Sequence, residues 1–185
     1  MRIIAGKYKS RRIYLPKARI GRGAILPLRP TSDRARETLF DVLNNYIEFD
    51  SLKCLDLFAG TGALGFEALS RGAESCGFVD ASKAVLNAIK KTGAELGCDE
   101  EIDLVHGDAF KYLAENKTVY FDLIFADPPY SYEKYALLAE KVLKLKPQVF
   151  VLEISRGLEQ VFDSESYEVV EKKSGSAKFI IFIQK

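Results

Sequence analysis

The chain contains only one histidine, His106, and three cysteines, Cys54, Cys76 and Cys98, among its 185 residues. A lone histidine argues against a histidine-based catalytic triad and excludes a site built from several histidines. Three cysteines without a CxxC spacing argue against a disulfide framework or a zinc site. Cys54 and Cys76 lie in apolar stretches, so we expect buried free thiols there and no bound metal.

Long hydrophobic runs are also missing. No apolar segment approaches the ~18–20 residues that a membrane-spanning helix needs. Residues 1–7 lack the apolar core of a secretory signal. With 48% hydrophobic and 29% charged residues, the composition is ordinary for one soluble globular unit. We therefore expect a cytoplasmic protein with no membrane partner, and a monomer, because nothing indicates an obligate oligomer.

The net charge is only +1, but the charges are unevenly distributed. Residues 1–36 hold eleven basic side chains and one acidic side chain, Asp33, so the rest of the chain is net acidic. Such a concentration of positive charge predicts a surface for a polyanion. The alternative is a solvated surface that binds nothing.

Turn-forming residues divide the N-terminal segment. Residues 2–5 and 11–14 flank a turn at 6–10 and predict a β-hairpin, whereas the prolines and glycines of residues 16–30 predict a loop. A helix follows, with Thr31 or Ser32 as its N-cap. We assign residues 1–30 to a basic extension and residues 31–185 to the main domain.

Strands and helices are predicted to alternate from residue 53 onward. The predicted strands are 53–57, 76–80, 102–105, 121–126 and 148–154. The predicted helices are 63–70, 82–96, 132–144 and a short one near 157–162. Two final strands, 167–172 and 178–184, are joined near Gly175 and predict an antiparallel hairpin. Together they predict an α/β fold with a doubly wound, mostly parallel, seven-stranded Rossmann-like sheet. By analogy, this architecture is similar to that of class I methyltransferases.

A glycine-rich loop, Gly60-x-Gly62-x-x-Gly65, closes the first predicted strand and opens a helix. Glycines here permit a tight turn and close approach of a ligand to the backbone. Asp80 follows about twenty residues later, at the end of the next strand, where a carboxylate can accept both hydroxyls of a ribose. Taken alone, this pattern is typical of nicotinamide enzymes as well as of S-adenosylmethionine enzymes.

Two further carboxylates favour S-adenosylmethionine. Asp56, inside the strand end, would face the methionine ammonium and would repel a pyrophosphate. Asp108, after the third predicted strand, can accept a hydrogen bond from an adenine amino group. The predicted cofactor-binding residues are Asp56, Phe58, Ala59, Gly60, Gly62, Asp80, Asp108 and Ala109.

The fourth predicted strand ends in Asp127, Pro128, Pro129 and Tyr130, which we predict to be the catalytic residues. The prolines remove two amide donors and fix two φ angles, which leaves carbonyls as acceptors in a rigid geometry. An exocyclic base amine is a poor nucleophile because its lone pair is delocalised into the ring. Asp127 and the Pro128 carbonyl can each accept one of its N–H bonds and direct the lone pair at a methyl group, while Tyr130 stacks on the base. A stacked target base would first be flipped out.

Four stretches together make the whole chain resemble the bacterial 16S rRNA (guanine(966)-N(2))-methyltransferase family. They are residues 2–9, residues 29–40, the glycine loop and the motif at 127–130. The last two occur in many amino-methyltransferases, whereas the first two are more specific. The resemblance implies S-adenosyl-L-methionine as donor, and as acceptor a guanine N2 of 16S ribosomal RNA in the assembled or assembling small subunit. The chain departs from the family pattern at Ala81 and Ser174.

The resemblance implies that the basic extension binds RNA. Its side chains can follow phosphates and stack on a base. The predicted RNA-binding residues are Arg2, Lys7, Tyr8, Lys9, Arg11, Arg12, Arg34 and Arg36. For the last two, pairing with Asp33 or Glu37 is a structural alternative.

Other functions stay open at this point. Similar motifs serve methylation of adenine N6 in DNA or RNA and of protein amides. A nicotinamide-dependent oxidoreductase would share the glycine loop, although no hydride-transfer residues accompany it. A non-enzymatic RNA-binding assembly factor would share the basic extension.

Overall fold

The computed structural model describes residues 1–16, 31–116, 118–129, 133–155 and 162–185. Tyr130, most of the loop predicted at 16–30 and most of the short helix predicted near 157–162 lie outside these ranges. The predictions made for them are therefore not tested by the fold.

The first helix of the fold is α1 (Asp33–Leu43). Strands and helices then alternate as β1 (Lys53–Leu57), α2 (Ala63–Ser70), β2 (Ser75–Asp80), α3 (Lys83–Leu96), β3 (Ile102–His106), α4 (Ala109–Glu115), β4 (Leu123–Ala126), α5 (Tyr135–Leu143) and β5 (Val149–Ser155). A short 3₁₀ helix, Asp99–Glu101, precedes β3. The final strands are β6 (Tyr167–Ser174) and β7 (Ala177–Gln184).

The strands form one seven-stranded sheet in the order β3-β2-β1-β4-β5-β7-β6. Strands β1 to β5 are parallel, and β7 runs antiparallel to both β5 and β6. This topology confirms the predicted doubly wound sheet with an antiparallel C-terminal hairpin. The order reverses between β1 and β4, and ligands of such sheets bind at that switch point, beside the carboxyl ends of the strands.

Alternating side chains of the central strands pack into two hydrophobic cores, one on each face of the sheet. Phe125 of β4 packs with Phe40 of α1 and with α2 and α3 on the first face. Ile124 packs with α4 and α5 on the second face. The N-terminal hairpin belongs to the first face, because Ile3 and Ile13 are buried in the same core. The hairpin is therefore docked on the body of the protein.

Local structure differs from the predictions in two places. Helix α4 was not predicted, and its N-cap is Asp108, whose side chain accepts a hydrogen bond from the Lys111 amide. The predicted N-terminal hairpin closes through a single bridge, between Arg2 and Arg12, in place of two full strands. Short segments of this kind carry weak periodic signals, because one helical turn or one bridge involves few residues.

Cys54 and Cys76 are buried and free as expected, and Cys98 is buried and free as well. Within the ranges given above, no helix is long and apolar enough to cross a membrane.

Candidate active site

The glycine loop forms the first wall of the site and has unusual backbone geometry. Phe58, Gly60 and Gly62 all have positive φ angles, of 59°, 55° and 72°. Gly62 is the N-cap of α2, and a Cβ there would lie 3.0 Å from the Phe66 ring. Phe58 has a side chain and still adopts the left-handed conformation. Such strain is concentrated at functional sites, which supports Phe58 and the two glycines as parts of a ligand-binding loop.

Asp56 lies behind this loop. Its side chain is 2% exposed, and its Oδ2 accepts a hydrogen bond from the Gly65 amide at 3.1 Å. Burial, assisted by the nearby Asp80 carboxylate and opposed by the hydrogen bond from Gly65, raises the pKa of Asp56 to about 8. A buried carboxylate of this kind is stabilised by a cation close to it. Its position fits a ligand that carries positive charge, as S-adenosylmethionine does.

Asp80 ends β2 and holds the same loop from the other side. Its Oδ2 accepts from the Gly60 amide at 3.0 Å, and its Oδ1 accepts from the Ser82 amide at 2.8 Å. The Ala59 amide also donates to the Val79 carbonyl, at 3.1 Å. Each carboxylate oxygen can accept more than one hydrogen bond. The predicted binding of a ribose by Asp80 is compatible with this arrangement and stays a prediction.

Asp108 and Ala109 lie where β3 passes into α4. The Gly107 amide donates to the Asp80 carbonyl at 3.1 Å, which brings this turn beside the end of β2. Asp108 is exposed, and capping uses only its Oδ1. Ala109 is buried. The predicted contact of Asp108 with an adenine amino group is compatible with the cap, which does not use Oδ2, and stays a prediction.

Asp127 follows β4 directly, across the switch point from the glycine loop. Its amide lies 3.4 Å from the Leu57 carbonyl at the end of β1. Burial, and then the charges of Glu153 and Asp56, hold the pKa of Asp127 well above its usual range. Pro128 is buried and Pro129 is exposed, so the backbone of the motif passes from the sheet towards solvent. The loop and the motif, which are far apart in sequence, meet at this edge of the sheet.

Glu153 and Thr31 join this site although the sequence did not predict them there. Glu153 lies in β5, is 3% exposed, and accepts a hydrogen bond from the Thr31 hydroxyl at 2.8 Å. Thr31 was considered only as a helix cap, but Ser32 caps α1 by accepting from the Ala35 amide. A signal was present, because a single carboxylate within an apolar strand of a buried sheet is unusual.

Arg36 was predicted to bind RNA, and the structure corrects this. Its side chain is fully buried and donates to the Arg2 carbonyl and to Asp33. Its guanidinium also lies 3.6 Å from the buried carboxylate of Glu67. Arg36 therefore has the structural role offered above as the alternative to RNA binding, which is pairing with Asp33. A guanidinium enclosed in this way cannot reach a phosphate.

The other predicted RNA-binding side chains lie at the surface. Arg2, Lys7, Lys9, Arg11, Arg12 and Arg34 are exposed, and Tyr8 is half-buried. Lys7 pairs with Glu101 at 2.8 Å and lies over the Tyr8 ring. Arg12 lies over Tyr14, which also contacts Lys91 of α3. The basic surface of the hairpin thus continues onto α3, a neighbour that the sequence did not reveal.

A strained glycine loop after β1 faces a carboxylate–proline motif after β4, on a sheet that finishes with an antiparallel hairpin. This combination defines a class I S-adenosylmethionine-dependent methyltransferase. More specifically, residues 1–183 match the family described as Conserved hypothetical protein 95, and the chain belongs to that family.

Individual relatives agree with this placement. The ribosomal RNA small subunit methyltransferase D of Haemophilus influenzae is 37% identical over 147 residues, which cover 78% of this chain and 69% of the relative. The solved structure of the putative methyltransferase yhhF from Escherichia coli is 29% identical, with a TM-score of 0.80, and the match covers 100% of this chain and 98% of that one. A methyltransferase structure from Agrobacterium tumefaciens, described as SAM-dependent, shares the fold at 20% identity, with a TM-score of 0.62 and coverage of 81% and 62%.

Proposed function

We propose that this protein transfers a methyl group from S-adenosyl-L-methionine to the exocyclic N2 of a guanine in 16S ribosomal RNA. The observation that carries the proposal is the position of Asp127 and Pro128 beside the glycine loop at the switch point of the sheet. The name and similarity of the Haemophilus influenzae relative support ribosomal RNA as the substrate.

The cofactor would be held by the loop and the acidic side chains around it. Asp80 would accept the ribose hydroxyls, Asp108 the adenine amine, and Asp56 would lie nearest the charged methionine end. When bound, S-adenosylmethionine supplies the methyl group, which passes to N2 as the carbon–sulfur bond breaks and one N2 proton is released.

The protein's contribution to catalysis would be mainly orientation. Asp127 and the Pro128 carbonyl would accept the two N–H bonds of the amine and direct its lone pair, and Tyr130 would hold the base in plane. The ionised form of Asp127 is the one that accepts, and it can also take up the released proton. Such positioning accounts for a large part of the barrier in reactions between two bound groups.

The RNA would be bound by the exposed basic side chains of the N-terminal hairpin. These contacts fix register along the backbone without reading sequence. The substrate is expected to be the assembled or assembling small subunit, bound by a monomer in the cytoplasm.

The direct test combines purified protein, radiolabelled S-adenosylmethionine and small subunits that lack the modification. Digestion of the RNA should yield labelled N2-methylguanine. Asp127→Ala should abolish the label, whereas Asp41→Asn, on the exposed side of α1, should leave it unchanged. Labelled N6-methyladenine or a labelled protein would replace the proposed substrate by one of the alternatives. Tight binding of NAD without binding of S-adenosylmethionine would point to an oxidoreductase.

A further inference from the structure

Glu153 and Asp127 lie side by side on neighbouring strands. In the parallel register of β4 and β5, Ala126 pairs with Leu152, so the next residue on each strand is a carboxylate. Residues that are in register on parallel neighbours project to the same face. The two side chains therefore lie on the face covered by α1, and the charge of Glu153 acts on Asp127.

Among the described residues, the carboxylate of Glu153 has few partners for a buried acid. Thr31 donates to Oε2, and no residue of the described ranges donates to Oε1 or forms an ion pair with Glu153. A buried carboxylate is costly unless its oxygens accept hydrogen bonds. Acceptor capacity that no described residue uses therefore lies next to the group that would hold the target amine.

We propose that Glu153 selects guanine by accepting the N1–H of the target base while Asp127 and Pro128 hold its N2 amine. This inference rests on the proposed function. Guanine presents N1–H and the N2 amine side by side as donors, and two adjacent carboxylates are their complement. Adenine presents an unprotonated N1 beside its amine, and a carboxylate repels that lone pair.

Thr31 has a positioning role in this scheme. Its hydroxyl fixes Oε2 of Glu153 and leaves Oε1 for the base. Burial raises the pKa of Glu153, whereas the hydrogen bond from Thr31 lowers it. Thr31 therefore favours the ionised form, which is the form that accepts a hydrogen bond from N1–H.

The test uses small subunits reconstituted with guanine or with 2-aminopurine at the target position. The analogue keeps the N2 amine but carries an unprotonated N1. The wild-type protein should prefer guanine by at least ~100-fold in kcat/KM, because a site built to accept a hydrogen bond rejects a base that lacks the donor. In Glu153→Gln the amide can donate to N1 of the analogue, so the preference should shrink at least ~10-fold. Glu168→Gln, on the exposed side of β6, is the matched control and should keep the wild-type preference.

If Glu153→Gln fails to fold, a second pair of variants still tests the inference. Thr31→Val should also reduce the preference for guanine over 2-aminopurine, whereas Thr31→Ser, which keeps the hydroxyl, should retain it. Binding of S-adenosylmethionine should be unchanged in both variants. If the variants lower kcat/KM equally for guanine and the analogue, Glu153 has only a structural role and the inference is overturned. If the wild-type protein methylates no guanine, the proposed function itself fails. Failure of the inference about Glu153 is therefore distinguishable from failure of the proposed function.

Discussion

The carboxylate of Glu67 lies 3.6 Å from the guanidinium of Arg36, and neither side chain is exposed to solvent. Glu67 also accepts hydrogen bonds from the amides of Ile4 and Ala5, at 2.8 and 3.0 Å, and pairs with Arg71 at 3.0 Å. One buried carboxylate of α2 therefore connects α1 with the N-terminal hairpin. Helix α2 begins at the glycine loop of the cofactor site. The proposed RNA-binding hairpin therefore packs on the same helix that starts at this site.

Glu67→Gln should destabilise the fold. The substitution keeps the shape of the side chain but removes the buried charge that, together with Asp33, compensates Arg36 in the interior. Breaking a buried ion pair from one side costs ~3–5 kcal/mol, so the free energy of unfolding in urea should fall by about that amount. Glu74→Gln, at an exposed position after α2, should change it by less than about 0.5 kcal/mol. Equal stability of the two variants would refute the connecting role of Glu67.

Gly6→Ala should detach the hairpin. Gly6 has a φ of 79°, and a Cβ there would lie 1.7 Å from the Ser70 carbonyl oxygen. The clash is with backbone, so the hairpin must move, and the amides of Lys7 and Tyr8, which donate to Ser70, should lose protection against hydrogen exchange. Gly107→Ala is the control, because apart from its chain neighbours no atom of the described residues lies within 4 Å of its added Cβ. Unchanged protection of both amides would mean that the turn adapts without undocking.

The pH profile of methyl transfer should reflect the raised pKa of Asp127. The ionised carboxylate accepts a stronger hydrogen bond from the target amine and can take up the released proton, whereas the protonated group can take up none, so kcat/KM should fall as the pH is lowered through that pKa. Because burial and the charges of Glu153 and Asp56 raise it, the fall should occur well above the range of an ordinary aspartate. Asp56→Asn removes one of those charges and should move the acid limb to lower pH. An acid limb near pH 4 in the wild-type protein would contradict this account.

Asp56 should also make stability depend on pH. Its pKa is about 8 in the folded protein against an ordinary value of 3.8, so the folded state holds a proton that the unfolded state has lost between these values. The free energy of unfolding contributed by this group should fall as the pH rises from about 4 to 8. Relative to the wild-type protein, Asp56→Asn should gain at least ~1.4 kcal/mol between pH 5 and pH 8, the equivalent of one pKa unit. Urea unfolding at the two pH values measures the difference, and parallel curves for the two proteins would disprove it.

RNA affinity should decrease steeply with salt if the hairpin binds phosphates. Lys9→Gln and Arg12→Gln should each reduce the slope of log affinity against log salt by ~0.7–0.9. Lys141→Gln, on the exposed side of α5, should leave the slope unchanged. Filter binding to small-subunit RNA across a salt series gives the slopes. A flat response in the wild-type protein would remove the hairpin from the proposed RNA surface.

Much of the site was predictable because its parts are contiguous in sequence. The glycine loop and the motif at Asp127 each follow an apolar strand, and parallel strands bring their carboxyl ends to one edge. Placement of Asp56, Asp80 and Asp127 at that edge therefore needed only the alternation of strands and helices. Asp108 was less clear, because the same side chain that suits a ligand also suits a helix cap, and in the structure it caps α4.

The sequence by itself determined the order of the strands, the two halves of the cleft and the concentration of positive charge at the N-terminus. These follow from hydrophobic periodicity, glycine and proline geometry, and residue counts, all of which are local properties. Only the tertiary structure decided that Arg36 lies in the interior and that Glu153 and Thr31 join Asp127. A surface arginine and a buried arginine can occupy the same position of a helix, so the local sequence does not distinguish them. The difference comes from Glu67, which is distant in sequence and supplies, beside Asp33, a second compensating charge that lets Arg36 be buried.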